Sequence, residues 1–129
     1  MINKIEYKIP YDKDAFGHIY QIINMINKKK YVGKDTGKTG CRWNGTLEGI
    51  IREYGYNLHL IRSMRKYDIK NFKRIVFDSA KDRKELNEKE KYWIAFYKSN
   101  NQRYGYNKSE GGDGGNTYIN KTPEELQET

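Results

Sequence analysis

Between Arg83 and Tyr97 the residues Leu86, Trp93, Ile94 and Tyr97 fall on one side of a helix at about 100° per residue, while Glu85, Glu88 and Lys91 point away. Glu90 lies in the middle of that apolar side. An ionised carboxylate there carries a desolvation cost of several kcal/mol unless a cation or strong donors compensate it. Two arrangements meet the requirement: Glu90 ligates a bound metal ion, or it forms a buried ion pair with Lys or Arg from a neighbouring element. Helical periodicity leaves both open.

Two other stretches imitate chemistry. The run Gly33-Lys-Asp-Thr-Gly-Lys-Thr39 resembles a phosphate-binding P-loop, but that pattern needs four residues between its glycines and three stand here. No apolar helix follows it at once, so nucleotide hydrolysis is set aside. His59 sits between Leu58 and Leu60 with no second histidine near it, which reads as a partly buried or solvent-facing side chain rather than a general base.

The elements that must position Glu90 follow from hydrophobic pattern. His18-Ile-Tyr-Gln-Ile-Ile-Asn24 and Lys29-Lys-Tyr-Val-Gly33 are rich in β-branched and aromatic residues and predict a β-hairpin around Met25–Lys28. Trp43, Leu47, Ile50, Ile51 and Tyr54 form a helical stripe that Gly55 ends, and Leu60, Ile61, Met64 and Tyr67 form a second. Phe72–Phe77 predicts a third strand, and the helix of Glu90 follows it. Residues 1–16, with Pro10 and Asp12, predict an irregular or short extended lead-in before an ordered domain spanning 17–110. The expected class is α/β in the broad sense (α+β): a small three-stranded sheet with helices packed on it.

Bulk properties narrow the partners. Lys and Arg number 25 against 17 Asp and Glu, a formal net charge of +8, which favours a polyanion such as nucleic acid or an anionic lipid surface. A Lys-rich surface that simply keeps the protein soluble explains the same charge. Cys41 is the sole cysteine, so no internal disulfide or Cys-based zinc site can form within the chain, and an intracellular, cytoplasmic setting fits. No stretch approaches the ~20 apolar residues of a membrane span, and Met1–Lys8 lacks the apolar core of a signal peptide. The expectation is one domain, monomeric, without membrane association or a small-molecule cofactor.

In order along the chain, His18-Ile-Tyr20, Tyr31-Val-Gly33, Arg42-Trp43, Glu90-Lys-Tyr-Trp-Ile94 and Gly105-Tyr-Asn107 resemble the successive motifs of the GIY-YIG nuclease family. The tyrosines stand eleven positions apart, and the resemblance covers about residues 17–115. It implies a three-stranded antiparallel sheet flanked by helices, and an endonuclease of homing or phage type that hydrolyses DNA phosphodiester bonds with one Mg2+ or Mn2+ ion. Glu90 would then hold the metal and Arg42 a phosphate oxygen. Tyr20 would take the proton of the attacking water, with Tyr31 sharing that task or positioning the nucleophile. A phenol has an ordinary pKa of about 10, so nearby cations would have to lower it. Lys34, directly after the second motif, is the candidate for that, for the base itself, or for a phosphate anchor. Asn107 would contact substrate, brace the site's backbone, or serve as a turn residue.

The sequence departs from the family pattern at two places. His18 stands where the first motif opens with glycine, and Thr46 stands four residues after Arg42, where His or Tyr often reaches the scissile phosphate. Arg42 and Thr46 share a helix face at that spacing, so Thr46 remains a substrate-binding candidate. Two alternatives accompany this reading: a catalytically weak nucleic-acid-binding module of the same fold, and a structure-specific repair nuclease. Residues 111–129 read as a glycine-rich joint followed by a helix start, with Thr122 as N-cap, Pro123 at the first helical position and Glu125 completing a capping box. That pattern predicts a longer protein whose C-terminal region supplies DNA affinity.

Overall fold

Asn24 shows how local chemistry shapes this fold: its backbone closes a tight turn through Asn24 N–H to Lys29 O at 3.0 Å and Lys28 N–H to Asn24 O at 2.7 Å. Its side-chain oxygen also accepts from Ile26 N–H at 2.9 Å. The structure is a computed structural model that describes residues 5–9, 14–36, 49, 51, 54, 55 and 57–111. The strands joined by that turn are β2 (Gly17–Asn24) and β3 (Lys30–Thr36), antiparallel with Tyr20 opposite Gly33 and Gln21 opposite Val32. The expected hairpin is present.

Two helices and two further strands complete the described fold. Helix α1 (Leu58–Tyr67) begins where the Asn57 side chain caps Leu60 N–H at 3.1 Å, and it buries Leu60, Ile61 and Met64. A 3₁₀ turn (Ile69–Asn71) leads into β4 (Phe72–Ala80), which pairs antiparallel with β2. Phe77 is the extra residue of a bulge there, since Ile19 faces Asp78 while Tyr20 faces Val76. Helix α2 (Arg83–Tyr97) starts on an Asp82 cap that accepts from Glu85 N–H at 2.8 Å, and it ends at Lys98 in the left-handed conformation.

The sheet has four strands, not the expected three. Strand β1 (Ile5–Tyr7) pairs parallel with β4, giving the order β1-β4-β2-β3. Ile5–Tyr7 is the short extended form expected for the lead-in, but three residues are too few to show a period and their partner lies far along the chain, so their place in the sheet was not legible. Most of the expected helix between Trp43 and Tyr54 lies outside the described residues, although Gly49, Ile51 and Tyr54 have helical backbone. The expected C-terminal helix start at Thr122 also lies outside them. Among the described residues no helix is long and apolar enough to cross a membrane.

The sheet separates two cores. Tyr20, Ile22, Tyr31, Phe72 and Val76 pack with Tyr54, Leu60, Ile61 and Met64 on the α1 face. On the α2 face, Ile19, Val32 and Ala80 pack with Leu86 and Ile94. Strand alternation makes this division: along β3, Tyr31 belongs to one core and Val32 to the other.

Candidate active site

Strand β3 lines both faces. Tyr31, Gly33 and Asp35 share the α1 face, and Val32 and Lys34 share the α2 face. The missing side chain at Gly33 has a direct use, because a Cβ there would lie 2.4 Å from Tyr20 Cζ and 2.5 Å from its hydroxyl oxygen. The phenol of Tyr20 therefore lies across the strand at the glycine of the second motif.

A polar network surrounds that phenol. The Tyr20 and Tyr54 hydroxyls are 2.7 Å apart, and Arg74 Nη1 donates to the Tyr54 hydroxyl at 3.0 Å. The guanidinium carbon of Arg74 lies 3.7 Å from the centre of the Tyr20 ring, and Nη2 pairs with Asp35. Tyr31 stands beside it, with its ring centre 6.4 Å from that of Tyr20 and 5.7 Å from that of Tyr54. Tyr20 is buried, and burial followed by the neighbouring Tyr54 phenol pushes its hydroxyl well above the ordinary range. The Arg74 charge pulls the other way and is outweighed. Tyr20 is accordingly a neutral phenol here, contrary to the expectation that cations lower it.

Lys34 is turned to the opposite face. Its ammonium donates to Asn87 Oδ1 and lies 3.6 Å from Glu90 Oε1. Both partners come from α2, one turn apart, and the side chains of Lys34 and Glu90 are only 8% and 10% exposed. The carboxylate on the apolar helix face is thus real, and it pairs with the lysine directly after the second motif. Gly111 closes over it: a Cβ at that position would stand 3.2 Å from Glu90 Oε1.

The last motif, Gly105-Tyr-Asn107, acts on the edge of β3. Lys30 N–H donates to Tyr104 O at 3.2 Å and Tyr106 N–H to Lys30 O at 2.9 Å, forming a parallel bridge between Lys30 and Gly105. One step further on, the Asn107 amide takes over from backbone. Its Oδ1 accepts from Val32 N–H at 2.8 Å and its Nδ2 donates to Val32 O at 2.8 Å. Asn107 completes the pairing of the residue between Tyr31 and Gly33, which is the bracing role. The backbones approach closely because residue 105 is glycine, where a Cβ would lie 2.4 Å from Lys30 O.

The structure therefore joins Tyr20 to Tyr31 on one face and Lys34 to Glu90 on the other, with β3 between the pairs. Arg42 and Thr46 lie outside the described residues. His59 packs edge-on to Tyr106 at 4.8 Å, and burial followed by the Lys29 and Lys108 charges lowers its pKa, so it is an uncharged packing residue near neutral pH. Sequence reasoning missed Arg74, Asp35 and Asn87 and read Tyr54 only as helix core. A signal for Arg74 existed, since Phe72, Arg74 and Val76 share one strand face and a charge amid apolar neighbours is what singled out Glu90.

The donors near Glu90 are oxygens, its carboxylate and the Asn87 amide oxygen. Mg2+ takes one or two carboxylates, keeps several waters and draws further oxygens from phosphates. Glu90 fits that demand. Among the described residues no group of three or more His, Cys, Asp or Glu side chains converges.

No family model matches the chain, and no curated protein matches it. Among solved structures, a glutamate-to-alanine mutant of the catalytic domain of intron endonuclease I-TevI aligns with 74% of this chain and 95% of that one, at 25% identity and a TM-score of 0.61. With its ordered motifs on β2, β3, α2 and the 105–107 edge, the chain has the fold of a GIY-YIG homing-endonuclease catalytic domain, in a version whose sheet has four strands.

Proposed function

We propose that this protein is a DNA endonuclease that hydrolyses phosphodiester bonds with one divalent cation held by Glu90. The observation that carries the reading is the nearly buried Lys34–Glu90 pair at 3.6 Å, on a fold shared with a nuclease catalytic domain.

Each residue has a role that its surroundings suit. Glu90, with Asn87 one turn before it, would hold the metal, which when bound supplies Lewis acidity at the scissile phosphate. Lys34 anchors a phosphate oxygen by charge, and Arg42 clamps another through its planar fork. Tyr20 acts as a neutral hydroxyl that orients the attacking water or a phosphate oxygen, and Tyr31 packs against it. Asn107 keeps the Tyr31–Gly33 backbone in register. The net charge of +8 supplies the long-range attraction to DNA.

Nicking of supercoiled plasmid, with and without Mg2+, tests this. Nicking should require the metal and fall at least about 10²-fold in Glu90→Gln, which is nearly isosteric and should fold normally. Metal-dependent cutting by Glu90→Gln at the wild-type rate would reject Glu90 as the ligand. The burial of Tyr20 favours one second reading, a nucleic-acid-binding module without catalysis. Its signature is plasmid retention without nicking at any metal concentration.

A further inference from the structure

Arg74 belongs to none of the motifs, yet it is wholly buried at the centre of the tyrosine network. Register explains its path. On β4 it stands opposite Ile22 of β2, whereas Asp35 of β3 stands opposite His18. The Arg74 side chain therefore runs diagonally over β2 to reach Asp35, and Tyr20 lies halfway between Ile22 and His18. The guanidinium passes 3.7 Å from the centre of the Tyr20 ring, and Gly33 leaves the other side of that ring flush with β3.

The same group orders the hydroxyls. Arginine only donates, so the Tyr54 oxygen accepts from Arg74 Nη1 at 3.0 Å. A directional chain polarises its members in one sense, which favours the Tyr54 proton pointing to the Tyr20 oxygen, 2.7 Å away. The proton of Tyr20 is then left for an external acceptor. A buried ion pair is seldom more stabilising than an apolar replacement of the same volume, so stability alone gives weak reason for an arginine here.

We infer that Arg74 is a positioning residue: anchored at Asp35, it straps the Tyr20 ring onto β3 at Gly33 and sets the hydrogen-bond direction Arg74 to Tyr54 to Tyr20, so that Tyr20 presents its proton to the substrate. This rests on the reading of Tyr20 as an active-site donor. Asp35 has a side chain 21% exposed, so it can hydrate once Arg74 is replaced, which limits the damage to folding.

The test uses the full chain with Arg74→Met, Arg74→Lys and Asp35→Asn, measuring plasmid nicking per folded molecule and, by NMR on 13C-labelled tyrosine, the flip rate of the Tyr20 ring. In Arg74→Met the flip should become fast and kcat should fall about 10²-fold, with KM within about twofold of wild type. Arg74→Lys keeps charge and a donor and should recover part of kcat, and Asp35→Asn should loosen the ring to a smaller degree. A Tyr20 ring as slow in Arg74→Met as in wild type overturns the inference. So does an unchanged kcat per folded molecule when Tyr20→Phe itself impairs nicking. Wild-type nicking by Tyr20→Phe would instead remove the functional reading of Tyr20, and the flip rate alone then decides the strap. If Arg74→Met does not fold, the other two variants carry the same readouts.

Discussion

On the α1 face of the sheet, Tyr20, Tyr54, Arg74 and Asp35 are linked by hydrogen bonds and an ion pair, whereas on the α2 face Lys34 donates to Asn87 and stands 3.6 Å from Glu90. The first arrangement is rigid, because in a low-dielectric interior each member loses free energy by moving away from its partners. The second is a longer-range ion pair set beside the Lys34–Asn87 hydrogen bond. Side-chain alternation along β3 lets one edge strand serve both, with Gly33 and Asp35 facing the tyrosine network and Lys34 facing Glu90.

The comparison breaks most severely at Gly33. An alanine there would put Cβ 2.4 Å from Tyr20 Cζ, which expels the ring or shifts β3. Gly33→Ala should lose about 1–3 kcal/mol of stability by overpacking, and cleavage should fall about 10²-fold through misplacement. Thermal unfolding and nicking rates both equal to wild type would sink the packing account.

Asn107→Ala sharpens the comparison from the edge that both faces share. It strips Val32 N–H and C=O of their partners at a half-buried position, at about 1–3 kcal/mol. Amide exchange at Val32 should accelerate while amides in the middle of β2 stay protected. Equal protection at Val32 in the variant would mean that another group pairs this edge.

The smallest effect is a titration that only the tyrosine network should show. The folded-state pKa of Tyr20 is raised, so the native protein keeps a proton that the unfolded chain releases near pH 10. Its stabilising contribution is full below pH 10 and is lost as pH rises from there towards the folded value, because the unfolded state then binds fewer protons. The chain has 12 tyrosines, so the measurement is a difference between wild type and Tyr20→Phe. Chemical denaturation from pH 9 to 11 should show a steeper loss in wild type, and parallel curves would contradict the burial of a neutral phenol.

Much of the frame was readable from local pattern. The β2–β3 hairpin, the β4 run and the bounds of α2 follow from alternation, turn residues and a helical stripe, all set by near neighbours in the chain. Strand β1 matches the short extended lead-in that was expected, but its pairing was not readable, because it is three residues long and its partner β4 lies far along the sequence. The motif order carried the family resemblance, and the apolar face of α2 marked Glu90 as a carboxylate needing compensation.

Which group compensates it was a different kind of question. Periodicity states that a charge is buried, but it contains no information on what a distant strand brings opposite, so Lys34 as the partner of Glu90 emerged only from packing α2 on β3. The same holds for Tyr20. Its place on a strand and its phenol are properties of the sequence, whereas its neutrality comes from burial beside Tyr54, and the guanidinium over its ring comes from Arg74 on the neighbouring strand β4. Residue types and local geometry are determined along the chain; desolvation and Coulombic neighbours depend on through-space distance, which the tertiary structure alone decides.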